Sequence, residues 1–167
     1  MKVTVKSGNA AKQKTSCLVL FTSKNGTHPN FNSVDKETGH QLSALIKRGD
    51  LKQSSGQTLM VPTVANLKAE RILLASLGKE QPNAVEAEKV INAVATSLKN
   101  ARIADATVVF DDVQVSDREP AWLVQMLSRC LANSAYTFTE YKSKKEDEPA
   151  PIVLTCQAKD LLPGIVH

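Results

Sequence analysis

Three histidines are the side chains of this sequence whose chemistry is best suited to a reaction. An imidazole can act as a general base near neutral pH or bind a metal ion. The patterns around them predict His28 in a loop and His40 in an amphipathic helix, while His167 stands last in the sequence. A histidine ligand set would therefore depend on folding alone. We predict that these side chains are solvated or pack structurally.

One pair of neighbouring carboxylates, Asp111 and Asp112, closes a predicted strand. Ligands of α/β proteins often bind at strand ends, but an acidic pair there is more often a turn at a solvated edge. Asp50, directly after Gly49, is likewise predicted in a loop. The sequence has no HExxH, GxSxG, GxxxxGKS/T or GxGxxG pattern, and its 7 glycines are dispersed. We therefore predict no catalytic, cofactor-binding or metal-binding residue in this chain.

The cysteines and the tryptophan favour packing over chemistry. Cys17, Cys130 and Cys156 are odd in number, far apart and without a CxxC pair, so neither a disulfide framework nor a zinc site is indicated. We predict reduced, mostly buried thiols. Trp122 is predicted as core or interface, because aromatic residues make up only 4% and do not alternate with Lys and Arg as in a base-stacking surface.

The charge pattern gives only weak support for nucleic-acid binding. The net charge is +4, but 21 basic residues are scattered among 17 acidic ones. The densest basic run, residues 142–145 ("KSKK"), is followed at once by the acidic residues 146–148. Such a mixed run, ending in proline, predicts a solvated loop. The charge permits contact with polyanions, and a DNA contact stays open, but the charge alone is weak evidence for it.

The length and the apolar pattern predict one soluble domain. A chain of 167 residues suffices for a sizeable core, and none of its apolar runs approaches the roughly 20 residues that cross a bilayer. The first residues lack the apolar stretch of a secretory signal. We expect a cytoplasmic protein without membrane contact.

Strands and helices alternate along the predicted chain. Residues 16–22 form a continuous apolar run, which predicts a strand buried on both faces. Pro62 cannot donate to a ladder, so its strand is predicted to end there or to lie at an edge. Further strands are predicted within residues 2–7, 57–64, 70–78, 105–112 and 151–157.

Three helices are predicted between these strands. The first follows a loop at residues 23–33 and places Val34 and Leu42 on one face, with Gly49 as a left-handed cap. The second begins at Asn83 and the third after Ser116, each with a glutamate in the capping-box position. Leu123, Leu127, Cys130 and Leu131 lie on the apolar side of the third helix, and Tyr136 and Phe138 are placed after it. Together the elements predict an α/β layer fold with a largely buried mixed sheet.

The stretch "LSALIKRGDLKQSSGQTLMV", residues 42–61, followed by "ERILLASLGK", resembles the amino-terminal domain of the leucyl aminopeptidase (cytosol aminopeptidase, peptidase M17) family. The opening "VTVKSG", the strand entry "KQKTSCLVL" and the later "YTFTEYKSKK" are similar to that domain in the same order. The resemblance covers residues 1–160. It implies a macro-domain-like three-layer fold, with helices on both faces of a mixed and mostly buried sheet.

The resemblance also implies a function for a larger protein. Family members are cytosolic hexameric metalloproteases that use two divalent metals, Mn or Zn, to release amino-terminal residues, preferably leucine. Their metal ligands belong to a carboxyl-terminal catalytic domain, whose NTDAEGR-type block is absent here. We therefore expect residues 161–167 to begin the linker to a missing catalytic domain and this domain to serve assembly or access.

Two other hypotheses remain open. A stand-alone module binding ADP-ribose or nucleic acid is suggested because macro domains elsewhere bind ADP-ribose and some bacterial family members bind DNA. A small enzyme could use Asp111 and Asp112 with His28. The end of the sequence, "AKDLLPGIVH", carries Leu161, Leu162, Ile165 and Val166 without a visible partner downstream.

Overall fold

The computed structural model describes residues 2–6, 12, 14–23, 28–62, 67–103, 105–110, 113–116, 118–141 and 153–157. These ranges contain strands that alternate with helices, as predicted. The strands are β1 (Lys2–Lys6), β2 (Cys17–Thr22), β3 (Thr58–Val61), β4 (Arg71–Ser76), β5 (Asp105–Val109) and β6 (Val153–Gln157). The helices are α1 (Pro29–Glu37), α2 (Gln41–Lys47), α3 (Ala84–Asn100) and α4 (Pro120–Tyr141).

The strands form one sheet in the order β1-β6-β5-β2-β4-β3. All neighbouring strands are parallel except β3, which runs antiparallel to β4 at the edge. The predicted mixed sheet is therefore confirmed. Pro62 follows the last residue of this edge strand, where the absence of an amide hydrogen costs no ladder bond.

The central strand β2 is buried along its whole length, as its apolar run predicted. Cys17, Val19 and Phe21 point into a core covered by α3 and α4. Leu18 and Leu20 point to the opposite face, into a second core that includes residues of α1 and α2. Side chains of a strand alternate between faces, so one run of six residues supplies both cores. The predicted layers of helices on both faces are thus confirmed.

The first helical region differs from the sequence prediction. Residues 23–33 were predicted as a loop, but α1 begins at Pro29, because proline suits the first turn of a helix, where its missing amide hydrogen is not needed. The one helix that was predicted after residue 33 is two helices in the structure, since the chain turns at Gly39 (φ +69°) and His40 (φ +65°). His40 thus precedes α2 rather than lying within a helix. The left-handed conformation predicted for Gly49 is confirmed.

The two later predicted helices are confirmed, but the second of them, α4, begins later in the chain than predicted. Asn83 and Glu86 form the predicted capping box of α3. The capping box predicted from Ser116 and Glu119 is wrong, since α4 begins at Pro120, directly after that glutamate. The Ser116 amide instead donates to the Pro82 carbonyl. The helix also runs to residue 141, so residues 136 and 138 lie within it rather than after it.

Candidate functional site

The carboxyl edge of the parallel strands is where a ligand of an α/β sheet would bind. Ser23 follows β2, and His28 precedes the first turn of α1. Ser23 Oγ lies 2.9 Å from His28 Nε2, and both residues are buried. A serine beside an imidazole is the start of a nucleophile and base pair. Here both side chains are buried, so a substrate has no access to them. Their hydrogen bond instead joins the end of β2 to the start of α1.

The next strand end along this edge is closed by the chain itself. Ser76 at the end of β4 is fully buried, and its hydroxyl donates to Gln53 Oε1 at 3.3 Å and accepts from the Gly78 amide at 3.2 Å. Gly78 has φ +77°, and a Cβ there would lie 2.8 Å from the Ser55 amide nitrogen. The loop before β3 therefore packs tightly against the turn after β4.

The opposite edge holds a carboxylate that sequence reasoning missed. Asp105 begins β5 and accepts hydrogen bonds from the Ser16 amide at 3.0 Å, the Thr15 hydroxyl at 3.1 Å and the Ser16 hydroxyl. Burial would raise the pKa of Asp105, but the hydrogen bonds from Ser16 and Thr15 outweigh it and lower that pKa. The carboxylate therefore stays ionised and ties the entry of β2 to β5.

A second carboxylate that was not predicted joins α1 to α2. Asp35 accepts hydrogen bonds from the Ser43 amide at 2.9 Å, from the Ser43 hydroxyl and from His40 Nδ1 at 3.2 Å. Burial acts to raise the pKa of Asp35, but the bonds from Ser43 and His40 lower it overall. Because His40 makes no side-chain cap, Asp35 serves as the acceptor at the start of α2. We call this arrangement the Asp35 joint.

The thiols that the structure describes are unsuited to nucleophilic catalysis. Burial raises the pKa of Cys17 to about 12, despite the nearby Arg71. Burial and the charge of Glu88 also raise the pKa of Cys130, whose sulfur lies 3.1 Å from Asn92 Oδ1. A thiolate is the reactive form, so neither group is activated. The prediction of a buried core residue is confirmed for Cys17, whereas Cys130 is only half-buried; Cys156 lies in β6.

Of the remaining predicted residues, Asp50 and Trp122 lie in the described ranges. Asp50 is exposed and accepts a hydrogen bond from Arg48 Nε at 3.0 Å. Trp122 is half-buried against the larger core. Asp111, Asp112 and His167 lie outside the described residues, as does the basic run at 142–145.

The described residues hold neither a cluster of metal ligands nor a membrane-spanning helix. No three His, Cys, Asp or Glu side chains lie together there as a metal ion would require. None of the helices in this part of the chain combines the length and apolar character needed to cross a bilayer.

Comparison with protein families gives a match over residues 18–145 to the model described as "Cytosol aminopeptidase family, N-terminal domain". The chain is 36% identical over 160 residues to a probable cytosol aminopeptidase of Stutzerimonas stutzeri, covering 93% of this chain and 32% of that protein. It is 37% identical over 149 residues to the cytosol aminopeptidase of Pseudomonas aeruginosa, covering 88% and 30%. The chain thus spans about a third of the length of these relatives.

Solved structures share the fold. A mutant of tomato leucine aminopeptidase has a TM-score of 0.68 at 15% identity, with 99% of this chain and 34% of that chain covered. The macrodomain of Mycobacterium tuberculosis DarG has a TM-score of 0.64 at 15% identity, with 92% and 96% covered. A Trypanosoma brucei macrodomain in complex with ADP-ribose has a TM-score of 0.61 at 12% identity, covering 92% and 63%. The macro-domain-like fold is confirmed by these likenesses.

Proposed function

Since the chain belongs to the cytosol aminopeptidase family, in which it corresponds to the amino-terminal domain, we propose that it is a non-catalytic part of a cytosolic leucyl aminopeptidase. The match over residues 18–145 is the observation that carries the proposal. The whole enzyme would release amino-terminal residues, preferably leucine, from peptides. This domain would serve its assembly or the access of peptides to its active site.

The described residues do not fit the two metal ions, Mn or Zn, that such an enzyme would use. No three candidate ligands lie together among them, and Asp35 and Asp105 already accept several hydrogen bonds each. A carboxylate occupied in this way has little capacity left for a cation. From the family resemblance, the metal ligands would lie in the two thirds of the relatives' length that this chain does not span.

The catalytic part of the proposal is tested with leucine p-nitroanilide and Mn²⁺. We expect no hydrolysis above the blank by the purified 167-residue chain, and hydrolysis by the longer native protein that carries these residues. Activity of the 167-residue chain that is lost on His28→Ala or Ser23→Ala would overturn the proposal. A native mass near 18.1 kDa in extracts of the source cells would contradict it as well.

The assembly role is tested separately in the longer protein. Family resemblance suggests a hexamer, so sedimentation velocity would compare the longer protein with a form lacking residues 1–160. We expect the shortened form to sediment as smaller species or to hydrolyse long peptides relatively faster, according to whether assembly or access is lost. Unchanged assembly together with unchanged preference for peptide length would remove this role.

A binding module is the second candidate, and the macrodomain likeness is the observation that favours it. Closure of the β4 end by the Ser76 and Gln53 pair argues against a deep ligand cleft at that strand. Titration calorimetry with ADP-ribose and a gel shift with duplex DNA at low salt test the two ligands. Saturable binding of either one would establish this function beside the first.

A further inference from the structure

We draw no further inference here: the strongest candidate, the half-buried apolar surface that Leu45 and Ile46 of α2 and Leu59 of β3 leave beside the second core, carries none, because no contact among the described residues shows what covers it.

Discussion

Replacing Asp35 with alanine removes the acceptor of the Asp35 joint. The lost bonds are those from the Ser43 amide, the Ser43 hydroxyl and His40 Nδ1, and the carboxylate is 6% exposed. Loss of a helix N-cap costs about 1 kcal/mol, and loss of the other hydrogen bonds to this charged, buried carboxylate costs a further 1–2 kcal/mol or so. We expect Asp35→Ala to lower the free energy of unfolding by about 2–3 kcal/mol, or Tm by roughly 5–10 °C.

Urea unfolding at neutral pH, followed by far-UV circular dichroism, measures this loss. The control is Asp50→Ala, which removes the same side chain after α2, where it is exposed and bonded to Arg48. An exposed ion pair contributes less than about 1 kcal/mol, so the control should stay close to the wild type. Equal losses for the two variants would refute the reasoning, because the burial and cap geometry of Asp35 would then contribute nothing.

The pH dependence of the same carboxylate gives an independent check. The hydrogen bonds that lower the folded-state pKa of Asp35 stabilise the fold at pH values above the unfolded-state pKa of about 3.9. This contribution is lost as pH falls through the lower folded-state pKa. Asp35→Asn keeps an oxygen for the Ser43 amide but does not titrate, so its unfolding free energy should fall less steeply below about pH 4. An identical slope in the wild type and the variant would contradict this assignment.

Three further predictions follow from other contacts. Gly78→Ala should lower the free energy of unfolding, measured in urea, more than Gly49→Ala does. Both glycines have a positive φ, but of the two only Gly78 would place a Cβ within 3 Å of another atom. Equal losses for the two variants would contradict the tight packing of the loop against Gly78. Cys17 should resist iodoacetamide at pH 8 while Cys130 is slowly modified, as mass spectrometry of the digested protein would show for each cysteine. Asn83→Ala should lower the unfolding free energy by about 1 kcal/mol through loss of the α3 cap, measured by the same titration.

The elements that the sequence predicted well are those with a strong periodic pattern. The apolar run of β2 and the helical spacing of α3, with its capping box, left few alternatives. The predicted start of α1 was wrong because Asn and Pro suit loops as well as helix starts. Composition alone does not separate these two cases. The break at His40 was missed because a left-handed residue other than glycine is rare.

The polar contacts of the site were less predictable than the fold. Ser16 and Asp105 are 89 positions apart, so no local pattern could indicate their hydrogen bond before the order of β2 and β5 was known. Asp35 and Ser43 are only 8 positions apart. Their contact was obscured because a continuous helix was expected between them. The contact between the buried side chains of Ser23 and His28 was also missed, because residues 23–33 were predicted as a loop.

The sheet order has a consequence for the synthesis of this chain. β1 is made first, but its neighbour in the sheet is β6, so Lys2 must wait for Val153 to leave the ribosome. Pairings between residues so distant in the chain form slowly, because a large loop has to close first. During that delay the first strand is exposed to other chains and to chaperones. Changes in codon usage or chaperone supply late in translation should therefore affect the yield of soluble protein more than the same changes early in translation.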